Sequence, residues 1–300
     1  VRGGRSRRSG PPGEPRLVAY LYLAPALLVF GAFALYPLGR TVQISLFDWD
    51  GLTLATWVGL GNYADVLQDE QLRGAFGHAA VLVVFWSLLP LLIGMVLASV
   101  LHRARVRGLG FFRTVVFLPQ VVAMVVIAVA WRRLYAPEGL VNDVLRAVGL
   151  DGLARGWLGD YTFALPAVGL VGTWFETGLV TILLLAGMGK VPQELYEAAR
   201  LDGAGRVREF LAVTLPSLRG EIAVALVLTI VAALKTFDLV YVTTSGGPGG
   251  STTVPSYEVY RRAFELGEVG SAAAVGVTLT AAIFVVTVLV TRLVEQRDER

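Results

Sequence analysis

Between Glu194 and Glu209 an otherwise oily chain gathers Glu194, Glu197, Arg200, Asp202, Arg206, Arg208 and Glu209 around Gly203 and Gly205. Carboxylates and guanidiniums at that density serve acid–base or nucleotide chemistry, a charged docking contact, or an amphipathic connector at a membrane surface. Nucleotide chemistry lacks its loop, because Gly189 and Lys190 run into Val191 and Pro192 instead of ending as Gly-Lys-Ser/Thr. No His-Glu-x-x-His and no Gly-x-Ser-x-Gly occurs. The absence of cysteine excludes disulfides, thiolate metal ligands and a cysteine nucleophile, and two histidines, His78 and His102, are too few for a metal cluster. The reading is therefore no catalytic residue, no metal site and no cofactor held by this chain.

A second set of candidates lies inside apolar stretches. Glu176 sits near the middle of one, where a charge costs several kcal/mol, roughly 2.5 to 3.5 for Asp, Lys or Arg on insertion scales. It must face the bundle interior or a wet cavity. It either hydrogen-bonds a hydroxylated ligand, or serves structure through an ion pair with Lys235 or a hydrogen bond to a neighbouring helix. Lys235 and Asp238 fall late in their own stretch and are expected to snorkel to the outer interface. Trp174 reads as a packing group, and His78 and His102, near span ends, receive no role.

The elements that position these residues are membrane helices. A chain of 300 residues that is 55% hydrophobic and 16% charged, with mean hydropathy +0.65, departs from soluble composition, which carries about 25% charged residues. A span needs about 20 apolar residues. Six stretches qualify, at 17–39, 77–101, 111–131, 162–189, 217–241 and 270–293, giving an all-α polytopic membrane protein with six transmembrane helices. Kinks are expected at Pro25, Pro37, Pro90, Pro119 and Pro166. Residues 1–16 form a basic arm, 17–293 the helical domain and 294–300 a tail.

The formal charge of +3 does not by itself imply nucleic acid, because the basic residues sort by side of the membrane. Placing both termini inside collects Arg2, Arg5, Arg7, Arg8 and Arg16, then Arg103, Arg105, Arg107 and Arg113, then Lys190, Arg200, Arg206, Arg208 and Arg219, then Arg292, Arg297 and Arg300, on the cytoplasmic side. The outer loops keep fewer, so the positive-inside rule predicts cytoplasmic termini and a cytoplasmic charged segment. Of the outer loops, 242–269 holds the run Gly246–Gly250, which must turn, followed by a short helix with Tyr257, Tyr260 and Phe264 on one stripe.

Within the charged segment, Pro192 opens a short helix over 193–201, Asp202 and Gly203 turn, and a second helix over 205–213 leads through Leu215 and Pro216 into the next span. On this second helix Val207, Phe210, Leu211 and Thr214 share a side. The pattern alone leaves a docking element and a partnerless interfacial connector equally open.

Glu197, Ala198, Ala199, then Gly203, Val213, Leu215 and Pro216 resemble the EAA motif of the permeases of binding-protein-dependent ABC importers, with Val213 where isoleucine is usual. Further segments, YLYLAPALLVFGAFALYPLGRTVQISLFDWD, VGLGNYADVL, FFRTVVFLPQVVAMVVIAVAWRRLYAPEGLVNDVL and TSGGPGGSTTVPSYEVYRRAF, are similar to the first membrane subunit of maltose-type and glycerol-3-phosphate-type importers.

The resemblance implies the type I importer permease fold in a bacterial plasma membrane. It also implies a second homologous permease, two ATPase subunits carrying ATP and Mg, and an extracytoplasmic sugar-binding protein or lipoprotein. The coupling loop, 193–216, would then engage the ATPase through Glu197, Ala198, Ala199, Asp202, Gly203, Val213, Leu215 and Pro216. A sugar path would be lined by Glu176 and Leu179 on one span and Thr229, Ala232, Ala233 and Thr236 on another, although larger polar or aromatic groups are usual at several of these positions. A glycerol-phosphate-type solute is the alternative cargo, disfavoured because Lys235 is the one basic residue in the spans. An ion-coupled secondary transporter is the alternative class, but it calls for coupling carboxylates and usually more spans.

Overall fold

The computed structural model describes residues 16–103 and 109–295. The basic arm and the tail thus lie outside the described residues, except that the first and last helices, labelled below by their apolar portions, begin at Arg16 and run to Glu295. The apolar chain builds helices because every backbone N–H and C=O must be paired within lipid. In order these are α1 (Tyr20–Ile44), the short α2 (Gly61–Gln68), α3 (Glu70–His102), α4 (Gly110–Val121), α5 (Met124–Leu134), the short α6 (Leu140–Ala147) and α7 (Ala164–Met188). After these come α8 (Gln193–Leu201), α9 (Arg206–Ser217), α10 (Arg219–Leu234), α11 (Asp238–Thr243), α12 (Pro255–Tyr260) and α13 (Val269–Arg292). A two-stranded hairpin, β1 (Phe47–Asp48) with β2 (Thr56–Trp57), lies between α1 and α2.

Among the described residues four helices, α1, α3, α7 and α13, are long and apolar enough to cross a membrane unaided, and six crossings result if α4–α5 and α9–α10 each count as one. Two spans differ from simple rods. The third stretch is broken between α4 and α5 by a 99° bend. Pro119 is buried in a tight turn at Leu118–Val121, and Val122 and Ala123 are extended, with ψ of 134° and 136°. The fifth stretch stops at Leu234; Lys235 and Thr236 then leave the helix before α11 begins.

Prolines leave a second mark. π-helical turns at Gly31–Leu35, Val84–Leu88 and Phe210–Thr214 each end two residues ahead of a proline, at Pro37, Pro90 and Pro216. A proline ring collides with the carbonyl four residues back and offers no N–H, so widening the preceding turn relieves the collision without breaking the rod.

The packing centre is α7, which lies along α3 and also meets α4 and α10. Lipid tails supply no hydrophobic drive between helices, so close packing must hold them, and small residues permit it. A Cβ on Gly172 would stand 1.8 Å from Trp86 Nε1, and one on Gly178 would stand 2.3 Å from the Val116 carbonyl oxygen. Glycine is required at both by its neighbours. Trp86, Leu82, Val168, Val171 and Ala233 form the heart of the resulting core.

At the end of the bundle holding the hairpin, charges do the fastening. Asp69 caps α3 by accepting from the backbone of Gln71 and Leu72, and it also accepts from Arg262. Arg262, largely buried, donates to Ser271 Oγ at 2.7 Å and lies 3.6 Å from the fully buried Glu258 carboxylate and 3.7 Å from Glu268. The start of α3 is thereby riveted to the distant stretch that runs from α12 into the start of α13.

Candidate functional site

The charged segment folds into a V. Gln193–Leu201 is helical over the range read from the sequence, with Pro192 as its N-cap and Glu194 in its first turn, where an acidic group favours the helix dipole. Its end is a complete Schellman closure: Gly203 N–H donates to Arg200 O at 3.0 Å and Ala204 N–H donates to Ala199 O at 2.9 Å. That closure needs a left-handed residue, and Gly203 has φ +74°. Gly205 is extended and α9 begins, with Glu209 N–H donating to Gly205 O at 2.8 Å.

Two side-chain links hold the arms of the V. Arg200 Nε donates to Glu209 Oε2 at 2.9 Å, and the Tyr196 and Thr214 hydroxyls lie 3.3 Å apart. Glu209 is almost fully buried, whereas Arg200 is 59% exposed in its side chain. The hydrogen bond and charge of Glu209, with a smaller contribution from Glu197, hold the Arg200 guanidinium above its ordinary pKa. The base of the V is anchored to the bundle where Leu218 and Glu221 press on Gly187 and Lys190 Nζ meets Glu221 at 3.1 Å.

The residues singled out in the motif divide by exposure. Glu197, Ala198, Asp202, Gly203 and Pro216 face outward, while Ala199, Val213 and Leu215 are half-buried. Glu197 and Ala198 therefore present one open edge of α8, carrying a carboxylate beside a methyl group small enough for close approach. Of the residues read as one side of the second helix, Thr214 is buried and Phe210 half-buried, but Val207 and Leu211 are exposed. The π-helical turn at Phe210–Thr214 shifts the phase of the stripe, which the plain helical period did not anticipate.

Of the six residues read as a sugar path, Glu176 and Leu179 lie on α7, Thr229, Ala232 and Ala233 on α10, and Thr236 just past its end. Glu176, Thr229, Ala233 and Thr236 are buried, and Leu179 and Ala232 are half-buried. Thr229 Oγ1 donates to Ala225 O at 2.8 Å, and Ala233 packs with Leu82 and Trp86. Gln120, whose amide donates to the Phe175 carbonyl at 2.8 Å, lies against the Glu176 carboxyl. Among the described residues no ion pair joins Glu176 to Lys235, which is exposed in the break after α10 together with Asp238. Trp174 is 45% exposed and meets Trp131 edge-on at 5.6 Å.

Beyond it runs an aromatic series that the sequence reading reached only in part. Phe237 stacks on Tyr241 at 5.2 Å, Tyr260 touches both, and Phe264 follows at 5.5 Å. Tyr260 and Phe264 were on the stripe read from the sequence. Phe237 and Tyr241 were hidden inside a stretch read as uninterrupted span.

The V between two membrane spans can be set against known proteins. Residues 90–299 match the family model described as "Binding-protein-dependent transport system inner membrane component". The chain belongs to that family. This permease is 35% identical to the diacetylchitobiose uptake system permease protein of Streptomyces coelicolor, over 97% of the chain and 86% of that protein. It is also 35% identical to the trehalose/maltose transport system permease protein of Thermococcus litoralis, over 87% of the chain and 88% of that protein.

A crystal structure of a bacterial alginate ABC transporter, in complex with alginate pentasaccharide-bound periplasmic protein, contains a chain of the same fold. Its TM-score is 0.78 at 23% identity, covering 92% of the permease and 93% of that chain. The all-α polytopic architecture read from the sequence is thus that of an ABC importer membrane subunit.

Proposed function

We propose that this permease is one membrane subunit of an ATP-driven sugar importer and that the V of α8 and α9 is its coupling element. One observation carries the reading. A rigidly closed helix pair, linked across by Arg200–Glu209 and rooted directly in α10, leaves the Glu197–Ala198 edge exposed in a chain with no nucleotide loop. The edge fits a groove on a separate ATPase: Glu197 meets a basic residue, Ala198 and Ala199 allow close contact, and Gly203 keeps the turn tight.

ATP and Mg belong to two such ATPase subunits. A second, homologous permease completes the membrane part, and an extracytoplasmic sugar-binding protein or lipoprotein delivers the cargo. Both termini and the V lie in the cytoplasm, following the distribution of arginine. The sugar class is supported by the two relatives above, which are named for diacetylchitobiose uptake and for trehalose/maltose transport. Glu176, Thr229, Ala233 and Thr236 are buried, which fits a path that is closed until motion of the V parts α7 from α10.

The test is purification of the intact complex through a tag on this chain, followed by sugar uptake in proteoliposomes. An ATPase and a second permease should co-purify, and Glu197→Lys should retain both permeases while abolishing sugar-stimulated ATP hydrolysis. Uptake driven by an ion gradient with this chain alone, or full coupling in Glu197→Lys, would sink the proposal.

A further inference from the structure

A cavity of about 1260 Å³ lies in the angle between the last turns of α3 and the V. Its two ends differ in chemistry. Along α3 the wall is Leu92, Val96 and Val100, one stripe at four-residue spacing, with exposures of 58%, 64% and 61%. At the other end stand His102 on α3, Tyr196 on α8 and Arg206 on α9. From Leu92 to His102 the helix rises about 15 Å. That is about half of a 30 Å hydrocarbon core, the depth of one leaflet.

We propose that this groove is a binding site for an anionic phospholipid, with one acyl chain along Leu92–Val100 and the phosphate at Arg206, bridging the bilayer to the coupling V. The charges at the polar end decide the headgroup. Glu209 also lines the groove, but its buried carboxylate accepts from Arg200. Arg206 makes no hydrogen bond or ion pair among the described residues, and it lies beside the Gly205 hinge of the V. A free phosphate would leave the 15 Å apolar wall uncovered, and a neutral lipid would leave the guanidinium unanswered. Basic pockets between membrane helices near the interface select anionic headgroups for this reason. A lipid seated here touches both arms of the V, so leaflet composition biases the element that the proposed function assigns to ATPase coupling, and the inference extends that reading.

The test uses the intact complex in detergent, mixed with phosphatidylglycerol or with phosphatidylcholine, and counts retained lipids on this chain by native mass spectrometry. The mass is read on the permease whether or not an ATPase accompanies it, so failure of the coupling reading is told apart from failure of the lipid site. Phosphatidylglycerol should be retained over phosphatidylcholine, and Arg206→Gln should weaken its retention about five-fold. Arg208→Gln, outside the groove, should change nothing. Val96→Trp fills an exposed position, so the fold survives, and it should displace the lipid. Equal retention of the two lipids, or equal loss in the Arg206 and Arg208 variants, would overturn the site. So would departure of a protein subunit from the Val96→Trp complex, because the groove would then be a subunit interface.

Discussion

Gly203 offers the sharpest test of the coupling V, because its backbone requirement is separable from any steric one. A Cβ added there meets nothing within 4 Å, yet φ is +74°. Within the chain the whole penalty of Gly203→Ala is therefore conformational, about 1–2 kcal/mol for a left-handed L-residue. The amides that report it are Gly203 N–H and Ala204 N–H, which close the Schellman turn onto Arg200 and Ala199. If they exchange through local opening, that cost lowers their protection about 5- to 30-fold.

Hydrogen exchange of the segment around residues 197–209 in the purified complex is the assay, with sugar-stimulated ATP hydrolysis as the second readout. Asparagine tolerates the left-handed region, so Gly203→Asn should lose distinctly less protection than Ala, and Gly203→Val, β-branched, should lose more. Equal protection across Ala, Asn and Val would refute the claim that this turn is held by backbone conformation. A loss of coupling with protection intact would move the role of Gly203 to close contact with the ATPase.

Other outcomes follow from the same contacts. Gly172→Ala forces a Cβ into the Trp86 indole and should cost about 1–3 kcal/mol, and Trp86→Leu in the same chain should recover part of it. Thermal unfolding of the four-member cycle checks this, and strict additivity contradicts the contact. Arg200→Gln removes a charged hydrogen bond to the buried Glu209, whereas Tyr196→Phe removes a neutral and longer one, the weaker kind. Exchange of α8 amides should rise more in the former.

At the Arg262 rivet, burial opposes ionisation of Asp69, but hydrogen bonds from Leu72 N–H, the Arg262 guanidinium and Gln71 N–H outweigh it and hold its pKa below the ordinary value. Its contribution is thus complete above the unfolded value of about 3.9 and is lost as pH falls through the lower native one. Asp69→Asn, which keeps the cap, should flatten that acid loss in melts recorded down the pH scale.

Sequence pattern reached the helices wherever one period governed them. The α8 boundaries followed from Pro192, an acidic first turn and a glycine in the right place, and the six apolar stretches from their length alone. What it missed were departures caused by partners distant in the chain. Pro119 announced a kink but not a right-angle corner, which depends on Val122 and Ala123 being extended. The fifth apolar stretch reads as one span to residue 241, whereas its helix ends at Leu234, one residue before Lys235.

The arrangement of Glu176 illustrates the same limit. Its interior placement followed from the cost of a charge in lipid, but that Gln120 would lie against it required knowing that the broken span folds back onto α7. Gly172 and Gly178 carry no local signal at all: only Trp86 and the Val116 carbonyl, from other spans, show why no side chain fits.

The standing of α1 has a mechanical consequence. None of its apolar window is buried, and its principal hold on another helix is through Tyr36–Ile44, against α13. At 25 residues it is about 37 Å long, several ångströms more than the hydrocarbon it must cross. Within this chain such a helix is a cantilever, held by its neighbours at one end. In a thinner bilayer it leans further and in a thicker one it stands up, at a modest cost per ångström of mismatch. The area this subunit covers in the membrane is therefore set partly by the membrane.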